Sequence, residues 1–234
     1  LSWSQNIGVF LFVLTKYIIA PLLGLWVLIG LVRFGRMNLS SRGSDAKKAI
    51  AEIKTRFIPT LLVSIMVALL MVVAVTIGFG PSIVLAAIGA LFKSSILVAL
   101  ANILLLIGIF VALVLAFKWM VEYILAPYAT MIDGAVGKQA LVSSRTLIRG
   151  RFWDVLLRLL IPKLVFLLVG VILMVIVAYI TSILVNATSG LDLDLQLRLM
   201  TMVEWVIPVV IAVLINPLIV LADLLLYKSL KSET

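Results

Sequence analysis

Long apolar stretches separated by shorter basic segments dominate the pattern of this sequence. The stretches from Leu61 to Phe79 and from Ile96 to Phe117 contain no charged residue. A helix rises about 1.5 Å per residue, so about 18 to 20 residues cross the roughly 30 Å hydrocarbon core of a membrane. Both stretches reach that length, which predicts that they cross a membrane as helices.

The apolar stretches show no alternation between two faces, which favours helices over the strands of a membrane barrel. The sequence therefore predicts an all-α fold, a polytopic bundle of transmembrane helices that forms one integral membrane domain over residues 1–234. Five spans are expected in this chain, at about residues 7–33, 57–79, 95–120, 160–186 and 204–227.

Basic residues collect in two segments between these spans, the loops 34–56 and 121–159. Because positively charged loops stay in the cytoplasm, we expect both loops and the C-terminus on the cytoplasmic side of a bacterial inner membrane. This orientation puts residues 1–6 outside, so an earlier helix and a six-helix parent are also expected. The cytoplasmic placement of the basic loops also accounts for the net charge of +9, so no nucleic-acid partner is expected.

Composition narrows the possible chemistry. The sequence is 65% hydrophobic and has neither cysteine nor histidine, which excludes disulfides, thiolate nucleophiles, imidazole bases and the usual zinc sites. It also contains no HExxH, P-loop, GxSxG or CxxC motif. We therefore expect no enzymatic activity, no cofactor and no metal site.

The second basic loop predicts an amphipathic helix over residues 136–148. Its apolar face combines Val136, Ala140, Leu141, Ser144, Leu147 and Ile148, and its polar face combines Lys138, Gln139, Arg145 and Arg149. Arg145, Arg149 and Arg151 are candidate contacts for a lipid phosphate, because planar guanidinium groups bind phosphate through paired donors. Membrane orientation alone also explains these cations, so both interpretations stay open.

Three further segments have patterns of their own. Residues 45–57 predict an interfacial amphipathic helix. Residues 80–94 are apolar but contain Pro81 and Gly89 and are too short to span, which favours a short re-entrant or interfacial helix. The stretch from Leu191 to Leu199 alternates with the period of a strand, which indicates either an extended flap on the outer surface or an ordinary polar connection.

Polar side chains inside the spans are the remaining candidates, because ionisable groups at membrane depth need water or a partner. Lys16 is expected to extend outward along its own stem, with Glu204 as a possible counter-ion. Asp223 is expected in a polar cluster at the inner surface, and Asn102 and Asn216 are expected to hydrogen-bond between helices. The polar positions of the first and last spans also suggest an alternative function, a small-solute or lipid transporter.

The segment from Asp133 to Trp153 follows the spacing g-x-x-A-L-x-x-S-x-x-L-x-x-G-x-[FW]-W. It resembles an inner loop in the membrane domain of glycerophosphoryl diester phosphodiesterases and of related bacterial integral membrane proteins, the YciC-like group. The ending Leu226–Lys231 is similar to their closing L-Y-x-D-L-R. Asp133 stands where a glutamate is common, and Ser229 replaces the acidic residue of the closing motif.

This resemblance implies a six-helix inner-membrane module that, in the named enzymes, accompanies a separate soluble catalytic barrel. The phosphodiesterase activity of that barrel is not implied for this chain. We therefore expect a non-enzymatic scaffold or accessory module of lipid or envelope metabolism. Its expected partners are the bilayer, anionic phospholipids and a membrane or soluble enzyme.

Overall fold

Helices make up the computed structural model of the chain, which describes residues 3–39, 46–187 and 193–233. No strand occurs in these three ranges. The α-helices are α1 (Trp3–Leu14), α2 (Ala20–Leu39), α3 (Ala46–Leu91), α4 (Ser95–Tyr123), α5 (Ala126–Asp133), α6 (Lys138–Ile148), α7 (Phe152–Ala187) and α8 (Leu193–Ser232). Five helical segments are long and apolar enough to cross a membrane: Asn6–Met37, Ile50–Leu91, Ser95–Asp133, Phe152–Ile183 and Val206–Ser232. The predicted all-α bundle with five candidate spans is confirmed.

The chain divides into two units, one that ends at Phe152 and one that runs from Trp153 to Glu233. The first unit contains α1 to α6. The second contains α8 and all but the first residue of α7. In the second unit, Gly170 of α7 lies against Ile211 and Ile215 of α8, so these two long helices contact each other near their middles.

A π-helical turn, Thr15–Ile19, joins α1 to α2. Pro21 explains it, because proline has no backbone N–H and its ring collides with the carbonyl four residues earlier, here that of Tyr17. The backbone N–H of Ala20 donates to the carbonyl of Thr15, one residue further back than in an α-helix. The wider turn keeps the first apolar segment helical through the proline.

Helix α3 runs without a break from Ala46 to Leu91. The separate interfacial helix expected at residues 45–57 is, over residues 46–57, the first part of α3, and Asp45 lies outside the described residues. The separate re-entrant helix expected at residues 80–94 is wrong, because the helix continues through Pro81. Packing against α4 explains this, because Gly89, which follows the proline, is buried against Leu97 of α4.

A tight turn over residues 92–94 folds α4 back along α3. Lys93 takes a left-handed conformation with φ 48°, and Ser94 caps α4 by accepting a hydrogen bond from the backbone N–H of Leu97 at 3.4 Å. Gly78 in the last third of α3 meets Gly108 near the middle of α4, and a Cβ built on Gly108 would lie 2.1 Å from the carbonyl oxygen of Gly78. The absence of side chains at both positions therefore lets the two backbones touch.

Helix α5 is short and buried. Tyr128, Ala129, Thr130, Met131 and Ile132 are all buried. Its C-terminus is closed by Gly134, which takes φ 78° and donates its N–H to the carbonyl of Thr130 at 3.1 Å. Glycine suits this left-handed position because it has no Cβ. The helix thus forms a core at one end of the first unit.

Helix α8 begins at Leu193, so residues 193–199 of the alternating segment are helical. Both interpretations of this segment, an extended flap and an ordinary connection, are wrong for these residues, whereas Leu191 and Asp192 lie outside the described residues. A lone strand has no neighbour for its backbone hydrogen bonds, whereas a helix satisfies them internally.

Candidate functional site

Cross-helix contacts gather α2 to α6 at one end of the first unit, which we call the basic end. Arg33 of α2 forms an ion pair with Glu52 of α3, with Nη1 2.9 Å from Oε2. Ser144 of α6 donates a hydrogen bond to the carbonyl of Glu122 at the end of α4, at 2.7 Å. Arg36 also donates a hydrogen bond to the carbonyl of Ile132, so the two predicted cytoplasmic loops meet at the same end of this unit.

Arg36 and Arg56 contact the C-terminal end of α5, and Arg33 lies near both of them. Arg36 donates a hydrogen bond from Nη1 to the carbonyl of Ile132. The guanidinium group of Arg56 lies against Gly134, where a Cβ would collide with it. Arg33 is buried, and its charge interacts with those of Glu52, Arg56 and Arg36. A helix C-terminus attracts cations because its last carbonyls have no partners within the helix.

Helix α6 confirms the predicted amphipathic helix over Lys138–Ile148, whereas Val136, predicted on its apolar face, precedes the helix and is 49% exposed. Ala140, Ser144 and Ile148 are buried, whereas Lys138 and Arg145 on the opposite side are exposed. The apolar face thus packs into the protein and is not available for insertion into lipid. The exposed face is cationic with Val142 at its centre, so its attraction to a lipid surface would be mainly electrostatic.

The three candidate phosphate ligands have different surroundings. Arg145 forms an ion pair with the largely buried carboxylate of Glu122, with Nε 3.5 Å from Oε2. Arg149 is exposed and is the C-cap of α6. The left-handed Gly150 then turns the chain, and Arg151 is half-buried and already engaged. Their shared phosphate site stays a prediction.

A shallow groove of about 490 Å³ lies beside the start of α6. Its lining consists of Ala135, Lys138, Gln139, Val142 and Ser143. Val142 is 53% exposed in the middle of the cationic face. The groove is open and has few polar atoms, so it does not resemble an enclosed site for a small ligand.

Asp223 is buried in α8 and forms an ion pair with Lys163 of α7, with Oδ2 3.3 Å from Nζ. Nearer the ends of the same helices, Arg158 binds both Asp154 and Glu233 at 3.0 Å. Lys163 and Asp223 therefore join α7 to α8, and Arg158 joins α7 to Glu233, which follows α8. Sequence analysis placed Asp223 in a polar cluster but did not identify Lys163 as its partner.

The remaining candidates inside the spans are Lys16, Glu204, Asn102 and Asn216. Lys16 is exposed within the π-helical turn, and its Nζ lies 5.6 Å from the ring centre of Phe12 and 5.5 Å from that of Tyr17. These cation–π contacts give the ammonium group local partners. The side chain of Glu204, its expected counter-ion, lies outside the described residues. Asn102 and Asn216 are exposed, and their hydrogen bonds between helices stay predictions.

The residues that the sequence analysis missed are those of the basic end: Arg33, Arg36, Glu52, Arg56 and Glu122. The three arginines counted only as markers of orientation, because no local spacing shows which distant helix each would contact. In the described part of the chain, no group of three or more acidic side chains is placed to hold a metal ion.

The long apolar helices define the class of this protein, an integral membrane protein with α-helical spans. No protein-family profile, curated protein or solved structure matches the chain. The resemblance to the membrane domain of glycerophosphoryl diester phosphodiesterases therefore stays a prediction.

Proposed function

We propose that this protein is a non-enzymatic module of the bacterial inner membrane, a scaffold or accessory to lipid or envelope metabolism. In this proposal its second basic loop lies against anionic lipid on the cytoplasmic side, together with the C-terminus. The observation that carries it is α6, which buries Ala140, Ser144 and Ile148 in the protein and presents Lys138, Arg145 and Arg149 outward.

Electrostatic attraction supports this placement. A cation near an anionic membrane surface contributes about 1 kcal/mol, and the effect fades within a Debye length of roughly 8 to 10 Å. The exposed face of α6 has three cations and, at its centre, Val142, which suits the boundary between headgroups and chains. The resemblance of the segment from Asp133 to Trp153 to an accessory membrane domain supports the second part of the proposal.

A nitroxide label at Val142 tests the lipid contact, and the absence of native cysteine makes Val142→Cys the single labelling site. In nanodiscs of phosphatidylglycerol, collisions of the label with a water-soluble nickel chelate should be rarer than in phosphatidylcholine. The combined change Arg145→Gln and Arg149→Gln should abolish this difference. A label at Phe92, 76% exposed in the α3–α4 turn, is the control and should be unaffected by those changes.

The outcome that contradicts the lipid contact is equal accessibility of Val142 in the two lipids. Orientation is tested separately with Lys138→Cys and a membrane-impermeant maleimide. We expect labelling in inverted vesicles and not in intact cells. Labelling from outside intact cells would reverse the proposed topology.

One observation favours the alternative, a small-solute or lipid transporter. The Lys163–Asp223 pair lies within two candidate spans, where charged groups are often functional. Proteoliposomes that show solute or lipid flux, lost on Asp223→Asn but kept on Asp154→Asn, would favour transport over scaffolding. Absence of flux for a broad panel of solutes and lipids would favour the scaffold.

A further inference from the structure

Three guanidinium groups converge at the basic end, and we call Arg33, Arg36 and Arg56 the arginine cluster. They come from two helices, since Arg33 and Arg36 lie near the end of α2 and Arg56 lies in the first part of α3. Arg33 and Arg36 lie one turn apart on α2, and Arg56 lies one turn after Glu52, the residue that Arg33 binds. The fold therefore holds like charges together, an arrangement that an additional anion would stabilise.

In the described part of the chain, two carboxylates lie beside the cluster. Glu52 binds Arg33 at 2.9 Å and is 48% exposed, so it lies at the edge of the cluster. Asp133 follows the carbonyl that Arg36 binds, is exposed and is itself engaged. Among the described residues, three cations therefore face two anions.

Arg33 also has a hydrogen-bond donor without a partner among the described residues. Its side chain is 8% exposed, and its Nε is buried without a hydrogen-bond partner among the described residues. A buried donor without a partner costs free energy, and that cost is greater for a charged group. The Nε–H and one Nη–H of a guanidinium group form the planar fork that suits two oxygens of a phosphate. The cluster thus has an unused donor of the type that phosphate binds.

We propose that the arginine cluster binds a phosphate group, either in the headgroup of an anionic phospholipid or as a free phosphate ion. This inference deepens the proposed function and rests on it for the lipid source, because the cluster lies at the end of the first unit that the charge pattern places at the cytoplasmic surface. Glu52 occupies one side of Arg33 and competes with the anion for its guanidinium group.

Competition between Glu52 and the anion can be tested directly. If the Arg33–Glu52 ion pair were only structural, removal of the Glu52 carboxylate would not strengthen phosphate binding. Glu52→Gln removes the competing charge, so phosphate should bind about tenfold more tightly, although the free protein should lose stability. Arg56→Gln should weaken binding by at least about tenfold, and Arg56→Lys, which keeps the charge without the fork, should lie between that variant and wild type.

The matched controls come from the Arg158–Glu233 ion pair of the second unit, where Nη1 and Oε1 are 3.0 Å apart. Glu233→Gln and Arg158→Gln make the same chemical changes away from the cluster. They should leave the dissociation constant unchanged.

Binding is measured on the full chain in a non-ionic detergent, as the rise of the unfolding temperature on titration at constant ionic strength. The two probes are inorganic phosphate and phosphatidylglycerol, and native mass spectrometry counts retained lipid. Binding of either probe supports the site, provided that Glu52→Gln strengthens that binding. The probe that binds shows whether the site takes a lipid headgroup, a free phosphate ion or both.

Equal dissociation constants for wild type, Glu52→Gln and Arg56→Gln would overturn the proposal. Failure of this inference is distinguishable from failure of the proposed function. Protection of the Val142 label by anionic lipid does not depend on Glu52. Phosphate binding that responds to Glu52→Gln would stand even if Val142 remained fully accessible.

Discussion

Helices α3 and α4 meet most closely at Gly78, so Gly78→Ala is expected to force them apart. A Cβ built at Gly78 would lie 2.4 Å from the carbonyl oxygen of Gly108 and 2.6 Å from the Cβ of Ala112. Ordinary contact begins at about 3.4 Å, so one helix has to retreat by about 1 Å. Neither obstacle can rotate away, because one is a backbone atom and the other is fixed directly to the backbone.

The expected cost follows from this displacement. A gap of about 1 Å removes roughly a quarter to a half of the dispersion energy between facing atoms. Overpacking of a tight contact usually costs about 1 to 3 kcal/mol. Alanine is also the better helix former, by up to about 1 kcal/mol in water, which offsets part of the loss. We therefore expect Gly78→Ala to destabilise the first unit by about 1 to 2 kcal/mol.

Gly80→Ala is the matched control, since Gly80 lies on the same helix and nothing would lie within 4 Å of its Cβ. It makes the same change in composition without the collision, so it should be neutral or slightly stabilising. Unfolding is followed in detergent by the fluorescence of Trp119, which lies on α4, in a variant with the other tryptophans replaced by phenylalanine. The unfolding temperature should fall for Gly78→Ala and stay the same or rise for Gly80→Ala.

Equal stability of these two variants would refute the inferred contact between the backbones of α3 and α4. Gly108→Ala provides an independent check from the other helix, because its Cβ would lie 2.1 Å from the carbonyl oxygen of Gly78. It should be at least as destabilising as Gly78→Ala.

Other predictions concern positive φ angles and a buried ion pair. Lys93→Gly should stabilise the α3–α4 turn by about 1 kcal/mol, because φ is 48° there and glycine adopts that angle without strain. Lys93→Ala should give no such gain, and thermal unfolding measures the difference. Gly134→Ala and Gly150→Ala should each lower stability by about 1 kcal/mol, since both positions have positive φ. A much larger loss at Gly134 would mean that Arg56 cannot move away from the added Cβ. Asp223→Asn should destabilise the second unit by about 1 to 2 kcal/mol in the same assay, less than a fully buried pair because Lys163 is 35% exposed; no change would show that the pair contributes nothing.

Periodicity located some elements well and others poorly, for reasons visible in particular segments. The amphipathic pattern of residues 136–148 identified α6 because burial follows a helical period there, with Ala140, Ser144 and Ile148 inward. The alternation from Leu191 to Leu199 was misleading because a two-residue period has no structural meaning for a strand without a neighbour. Pro81 was misleading as a boundary because packing against α4 keeps α3 helical beyond it.

The candidate site was less predictable than the fold. Arg145 and Asp223 were singled out from the sequence, but their partners Glu122 and Lys163 were not, because an ion pair between helices depends on which faces meet. Small residues spaced by four, Ala74, Gly78 and Ser82 on α3 with Gly108 and Ala112 on α4, were the available signal for the close crossing.

The amino-acid sequence by itself determined that the chain is helical and has five segments able to span a membrane. Those properties depend on length and on backbone hydrogen bonds that a helix satisfies within one segment. Only the tertiary structure decided that Arg36 and Arg56 meet the end of α5 beside Arg33, and that the apolar face of α6 is buried in protein. Contacts between residues far apart in the chain depend on how whole helices dock, and no local pattern contains that information.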